Sequence, residues 1–424
     1  MGGATTNTNS RYQYGYDDAG NRTWVKRAHQ SALGDVYTYD AADQLTNVLY
    51  NASDPDTAPS GWSNEVSYAF DAAGNRTLLT QIGGSGSTQT VSYGVNNLNQ
   101  YTNVDATAYT YDTKGNLTGD GVWTYSYDYE NRLVSATSAL SAVQYQYDAF
   151  GRLIERQTSG TSQSTNRMYY AGLPANSSGA GWQLVAEYDG AGTLQTKYVY
   201  GPGIDEPVRM QRGSTKYYFE QDGLGNVTEL ANVAGVVLER YTYDVYGTPT
   251  IYNNGWMVRS ASLYGNRLMF TGRDRDPDTG LYNFRYRYYS PALGRFVQPD
   301  PMGLAGGDLN LYAYSLNNPV NLLDPSGLSI LSWLKSRDWK SIFIGGLYVY
   351  VGFDTVKLGL TLGITGGFGE VLPGFELPAT GAIGGGMFLG FLGTGYMGYG
   401  TYLISKGLLP PTPPTPPTPS GPPC

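Results

Sequence analysis

One histidine, His29, is all that this 424-residue sequence offers as the base of a conventional nucleophilic triad, and its one cysteine is Cys424. Such a triad needs a base within reach of its nucleophile and a third group to orient the base. His29 lies in a polar N-terminal stretch with no pattern of that kind around it. With Cys424 as the last residue, no internal disulfide and no cysteine-based zinc site is expected. The cysteine count leaves the compartment open, since large secreted repeat proteins do without disulfides. Hydrolytic chemistry must therefore rest on carboxylates or on an added metal. No cofactor site and no metal site is expected.

Carboxylates recur in a fixed setting. Tyr-x-Tyr-Asp stands at Tyr14–Asp17, Tyr37–Asp40, Tyr109–Asp112, Tyr125–Asp128, Tyr145–Asp148 and Tyr241–Asp244, with a near-copy at Tyr68–Asp71. Several copies run on through two residues to Gly and then Asn, Arg or Leu, as in Asp71-Ala72-Ala73-Gly74-Asn75-Arg76. Calcium would require several oxygens converging in one short loop, and each repeat supplies a single Asp. The aspartates therefore read as turn residues, accepting backbone N–H bonds where a strand ends.

The elements that position them follow from the same pattern. Alternation along a strand puts both tyrosines of Tyr-x-Tyr on one face. Glycine supplies the positive φ that a tight hairpin needs, and Asn tolerates it. Each repeat is thus a hairpin, and stacked hairpins bury what one alone cannot. The intervals Asp17–Asp40, Asp40–Asp71, Asp112–Asp128 and Asp128–Asp148 all differ. A continuous spiral of antiparallel strands absorbs such variation in its turns, whereas a propeller of fixed geometry does not. The tyrosine faces read as the half-buried side of a sheet, with stacking on carbohydrate as the functional alternative. Composition agrees with an ordered, turn-rich β protein: 57 glycines and 39 tyrosines, 14% aromatic residues and only 15% charged. The net charge of -8 predicts no nucleic-acid partner, because such binders usually show a basic face.

Tyr-x-Tyr-Asp-x-x-Gly-Asn-Arg resembles the YD repeat of Rhs proteins, teneurins and the C subunits of insecticidal toxin complexes. The likeness runs over roughly residues 11 to 328 and implies a spiral of β-hairpins forming a hollow or partial shell. Several unusual blocks then follow in order: Phe270–Arg273, Tyr282–Tyr289, Pro291–Phe296, Pro299–Pro301, Asn310–Tyr314, Asn317–Asn321 and Asp324–Leu328. Together they resemble the Rhs repeat-associated core. The expected organisation is a disordered leader (1–10), a YD-repeat shell (11–217), the core (218–328), a variable module (329–409) and a Pro/Thr-rich tail (410–424). Residues 284–288 read as an alternating strand, aromatics on one face and Arg285 and Arg287 on the other, the arginines meeting carboxylates or rings.

Self-processing members of this family cut after an Asp-Pro-x-Gly-Leu element at an aspartyl-type site. The resemblance places the scissile bond at Leu328–Ser329, with Asp324 as the matching carboxylate and Asp300 as its partner. Asp308 is held in reserve, and Arg295 would hold the ionised member. Such chemistry needs two carboxyls whose titrations are split, one activating water and the other still protonated. Both Asp-Pro steps equally suit plain turn capping.

Beyond Leu328 the composition shifts. Trp333, Lys335, Arg337, Trp339 and Lys340 precede apolar, glycine-rich runs across 342–405, and Leu377–Ser405 carries no charge. That length satisfies a membrane span and its glycines suit close helix packing, with a soluble glycine-rich core as the alternative. No nuclease or deaminase constellation is visible there. The resemblance implies that this module is the chain's own cargo, so its expected partners are the shell, a membrane through 342–405, or cell-surface carbohydrate. Three functions stay open: a self-processing shell with a C-terminal effector, a non-enzymatic surface or wall-associated binding protein, and an inactive fragment. A secreted or cell-surface bacterial setting is expected, and Met1–Ser10 has no signal-peptide pattern.

Overall fold

The computed structural model describes residues 10–172 and 181–328, together with the backbone of two strands at 347–354 and 357–364. Nearly every element among them is an antiparallel strand hydrogen-bonded to its neighbour in sequence. A nine-stranded sheet runs from β1 (Tyr12–Tyr16) to β9 (Thr107–Ala108), and a fifteen-stranded sheet from β10 (Thr110–Tyr111) to β24 (Val258–Arg259). Strand order never departs from chain order in either sheet. This is the spiral of hairpins that irregular repeat spacing predicts.

Most repeats are built in the same way. At the motif's second aromatic the register slips by one residue, as at Ser126/Tyr127 and Gln146/Tyr147, which marks a β-bulge. In the turn that follows Asp148, the Gly151 N–H donates to the Asp148 carbonyl and the Asp148 N–H donates to the Arg152 carbonyl. Gly151 holds φ 77°, and where glycine is missing Asn131 takes φ 62° instead. Asp148 Oδ1 accepts the N–H groups of Phe150 (2.9 Å) and Arg152 (3.0 Å), and Asp128 does the same with Glu130 and Arg132. The turn reading of the repeat aspartates is thus what their oxygens do.

The leading tyrosines of several motifs are interior. Tyr125, Tyr145 and Tyr241, each first in its motif, are buried, along with Leu117, Leu133 and Leu153, which start return strands. Full burial of a large side chain of this kind contributes about 1.5–3 kcal/mol. The second tyrosine ties one repeat to the previous one. Tyr127 donates to the Leu117 carbonyl (2.8 Å), Tyr147 to Leu133 (2.6 Å) and Tyr243 to Val227 (2.7 Å). These motif tyrosines therefore form packed core, not an open platform for sugar rings.

The first sheet closes on the end of the second. Tyr14 Oη accepts the Gly223 N–H, Tyr50 Oη accepts the Val245 N–H, and the Tyr68 and Tyr246 rings pack edge-on at 5.2 Å. The boundary expected at 217/218 falls inside β20 (Thr215–Gln221), in the middle of a continuous sheet. Regular strands give way later, after Arg259. Residues 260–328 are mostly turns, with a small sheet of β25 (Asp274–Arg275), β26 (Tyr282–Asn283), β27 (Tyr288–Ser290) and β28 (Arg295–Phe296). This segment is anchored by the asparagines of the repeat turns. Asn75 Oδ1 receives Arg295 and Asn310, Asn226 Oδ1 receives the Thr271 N–H, and Asn21 Oδ1 receives Asn318.

The alternating strand expected over 284–288 is not formed. Arg285 adopts φ 68°, its N–H turned back to Asn283 Oδ1 at 2.7 Å, and the chain bends through Phe284–Arg287. Phe284 and Tyr288 are buried while Tyr286 is 47% exposed, so strict alternation fails at the bend.

The chain divides into two compact units, Met1–Ser336 and Arg337–Cys424. In the second, the described backbone is a hairpin of β29 (Leu347–Asp354) and β30 (Lys357–Ile364). Tyr348, Val349, Tyr350 and Val351 favour strand, and glycine at 352, 359 and 363 weakens helix. Leu377–Ser405 and the Pro/Thr tail lie outside the described residues. No helix among the described residues is long and apolar enough to cross a membrane.

Candidate functional site

The bend at Arg285 aims the next arginine inward. The Arg287 guanidinium lies over the Phe296 ring, 3.6 Å from its centroid. Its Nη1 donates to the Leu311 carbonyl (3.0 Å) and its Nε to the Gly327 carbonyl. The remaining nitrogen, Nη2, sits 2.9 Å from Asp300 Oδ2 and 3.1 Å from Asp324 Oδ2. All three side chains are almost completely buried. One cation thus joins the two carboxylates named from the sequence.

Both aspartates also cap turns. Asp300 Oδ1 accepts the Met302 N–H at 2.8 Å. Asp324 Oδ1 accepts the N–H groups of Gly327 (2.9 Å) and Leu328 (3.2 Å), and the Ser326 hydroxyl donates to it at 3.3 Å. Asp324 is therefore bonded directly to the amide of the residue whose carbonyl belongs to the expected scissile bond. That carbonyl is close to Asp300 as well. A Cβ added at Gly306 would meet Asp300 Oδ2 at 2.8 Å and the Leu328 carbonyl oxygen at 3.1 Å, so both flank one spot.

Burial pushes the Asp300 carboxyl up to about 6, against the pull of Arg287, with Asp324 and Asp308 adding to the rise. Burial also raises Asp308, and it lowers Arg287 in opposition to the neighbouring carboxylates. A small pocket lined by Arg287, Asp300, Gly306, Asp308 and Asp324 opens here, with room for a water molecule. A carboxyl that keeps its proton up to about pH 6, a second carboxyl beside the Leu328 amide, and space for water are the parts that general acid–base hydrolysis requires.

The other site residues fall as follows. Asp308 lines the same pocket, its Oδ1 accepting the Asn310 N–H at 2.8 Å. Arg295 is elsewhere: it stacks on Tyr101 at 3.8 Å and donates to the Asn99 carbonyl and Asn75 Oδ1. The holding role expected of Arg295 is filled by Arg287. Arg287 was expected only to meet some carboxylate or ring, and no local spacing signals which. Gly306 was missed altogether, since a glycine shows its use only when its neighbours are known. Ser329 lies outside the described residues. His29 packs against the Tyr12 ring at 5.1 Å and lies 3.5 Å from Glu229, at the seam between the two sheets.

A sequential spiral of hairpins, its turns holding a loop-rich segment that pairs two buried aspartates beside its own last residues, defines a repeat-shell protein. The chain belongs to the teneurin YD-shell family, whose model matches residues 5–320. Among curated relatives, the tRNA nuclease WapA of Bacillus subtilis (strain 168) is 31% identical over 268 residues, covering 62% of this chain and 11% of that protein. The double-stranded DNA deaminase toxin A of Burkholderia cenocepacia is 28% identical over 351 residues, 74% of this chain and 22% of its own length. Toxin subunit YenC1 of Yersinia entomophaga is 26% identical over 372 residues, 75% and 37% respectively. The chain thus spans only a minor part of these bacterial proteins. Among solved structures, the TcdB2–TccC3–Cdc42 crystal structure superposes with a TM-score of 0.59 at 20% identity, covering 77% of this chain and 17% of that one, which establishes the shared fold.

These relatives correct one expectation. The acidic net charge argued against any nucleic-acid partner, yet WapA is named a tRNA nuclease and the Burkholderia protein a DNA deaminase toxin. Net charge sums over the whole chain, and here mostly over repeats. It carries no information about the target of a module joined to a shell.

Proposed function

We propose that this chain is the shell portion of a toxin-type protein that cuts itself between Leu328 and Ser329, separating shell from C-terminal module. The observation that carries the reading is the single Arg287 nitrogen shared by Asp300 and Asp324, both beside Leu328. Asp324 acts as base: it takes a proton from a water that adds to the Leu328 carbonyl carbon. Asp300, which burial keeps protonated up to about pH 6, donates its proton to the departing Ser329 nitrogen. Asp324 is left protonated and Asp300 ionised, and the new Leu328 carboxylic acid passes its proton to the Ser329 amine, giving a carboxylate and an ammonium group. Arg287 fixes both carboxyls and offsets their shared charge. The shell relatives named as nucleases and toxins support the assignment of residues 329–424 as cargo.

N-terminal sequencing of any small fragment released from the purified chain tests the assignment. Ser329 is expected as its first residue, and none should arise from Asp300→Asn. A fragment starting elsewhere, or one that persists undiminished in Asp300→Asn, rules this chemistry out.

A further inference from the structure

The site contains a glycine whose conformation does not explain it. Gly306 ends a short 3-10 turn over Gly303–Gly306 and is buried. It lacks the left-handed backbone of its neighbours Gly303 (φ 56°) and Gly307 (φ 93°), so a side chain there would cause no backbone strain. What excludes a side chain is the company. A Cβ would stand 2.8 Å from Asp300 Oδ2, 3.1 Å from Asp300 Cγ and 3.1 Å from the Leu328 carbonyl oxygen.

We propose that Gly306 is a positioning residue for self-cleavage, its missing side chain being what lets the Asp300 carboxyl and the Leu328 carbonyl close on each other. This rests on the cut assigned above. The two clashing groups differ in how they can respond. The Asp300 carboxyl is the end of a rotatable side chain and can swing away at small cost, while the Leu328 oxygen is backbone and yields only by tenths of an ångström. A methyl group at 306 therefore displaces the acid from its target and from Arg287 but leaves the shell intact. Misplacing a reacting group by about 1 Å costs on the order of a hundredfold in rate.

The test follows cleavage of the full chain over time for Gly306→Ala, with Leu304→Ala as the control. Leu304 lies on the same turn and is 66% exposed. Gly306→Ala is expected to cut about a hundredfold more slowly or not at all, with a melting temperature within about 2 °C of the parent. Leu304→Ala should match the parent in both. Any residual cutting should have its alkaline limb moved, because the burial that raises the Asp300 carboxyl and the Arg287 charge that lowers it both change when that carboxyl swings away. Parent-like cutting by Gly306→Ala overturns the proposal. So does slow cutting with an unmoved limb, or a loss accompanied by a large fall in melting temperature, since either marks a structural role. If the parent chain does not cut, the assigned function fails instead, and the two failures are told apart.

Discussion

Two populations of aspartate share one turn chemistry in this molecule, and they differ in a single oxygen. Asp128 and Asp148 in the repeats, like Asp300 and Asp324 in the loop-rich segment, use Oδ1 to accept N–H groups of the turn that follows. In the repeats Oδ2 goes to a residue four positions on, Arg132 Nε at 2.7 Å or Arg152 Nε at 2.6 Å. In the loop-rich segment both Oδ2 atoms go to Arg287, and both are buried. Turn capping and chemistry are therefore not rival readings of Asp300 and Asp324. One oxygen builds the turn, and the other is left for a remote partner.

The comparison can be broken most forcefully at the arginines. Arg287→Met leaves two carboxyls buried without their cation and is expected to lower stability by about 3–5 kcal/mol and to end cleavage. Arg132→Met removes the half-exposed partner of a repeat aspartate, at a cost of ~0.2–1 kcal/mol with cutting intact. Thermal melts of both variants check this, and similar losses would erase the distinction.

At the aspartates themselves the contrast should appear in rate. Asp324→Asn is expected to slow cutting by about 10²- to 10⁴-fold. Asp148→Asn should leave the rate alone. Equal behaviour in a time course would show that the Oδ2 partner does not set the two groups of aspartates apart.

A smaller effect is expected from pH. Asp300 must be protonated to donate, and its carboxyl titrates at about 6. Cutting should therefore fall about tenfold per unit above that value. A rate that climbs through pH 8 would reverse the assigned roles. The smallest change is expected at Tyr147→Phe, which leaves the Leu133 carbonyl without its phenol donor. It should cost about 1 kcal/mol in denaturant unfolding and nothing in cutting rate.

The repeats were legible in the sequence because their physics is local. The alternation of Tyr-x-Tyr, the Asp at the strand end and the positive-φ glycine all act within a few residues, so a hairpin can be read from each copy. The site was legible only in part. Asp300 and Asp324 were marked by resemblance, but Arg287 was hidden by the bend at Arg285, where a left-handed residue breaks the alternation that placed both arginines on one strand face. Arg295 looked equally suitable until its stacking on Tyr101 was visible. The asparagines of the turns gave no hint that they would hold the loop-rich segment, because those partners lie hundreds of residues away along the chain.

The intact mass of the purified, unmodified chain tests the central claim most directly. The paired aspartates predict two species whose masses meet at the Leu328–Ser329 bond. A single species of full-length mass, stable on incubation at about pH 6 where about half of Asp300 carries its proton, would contradict it.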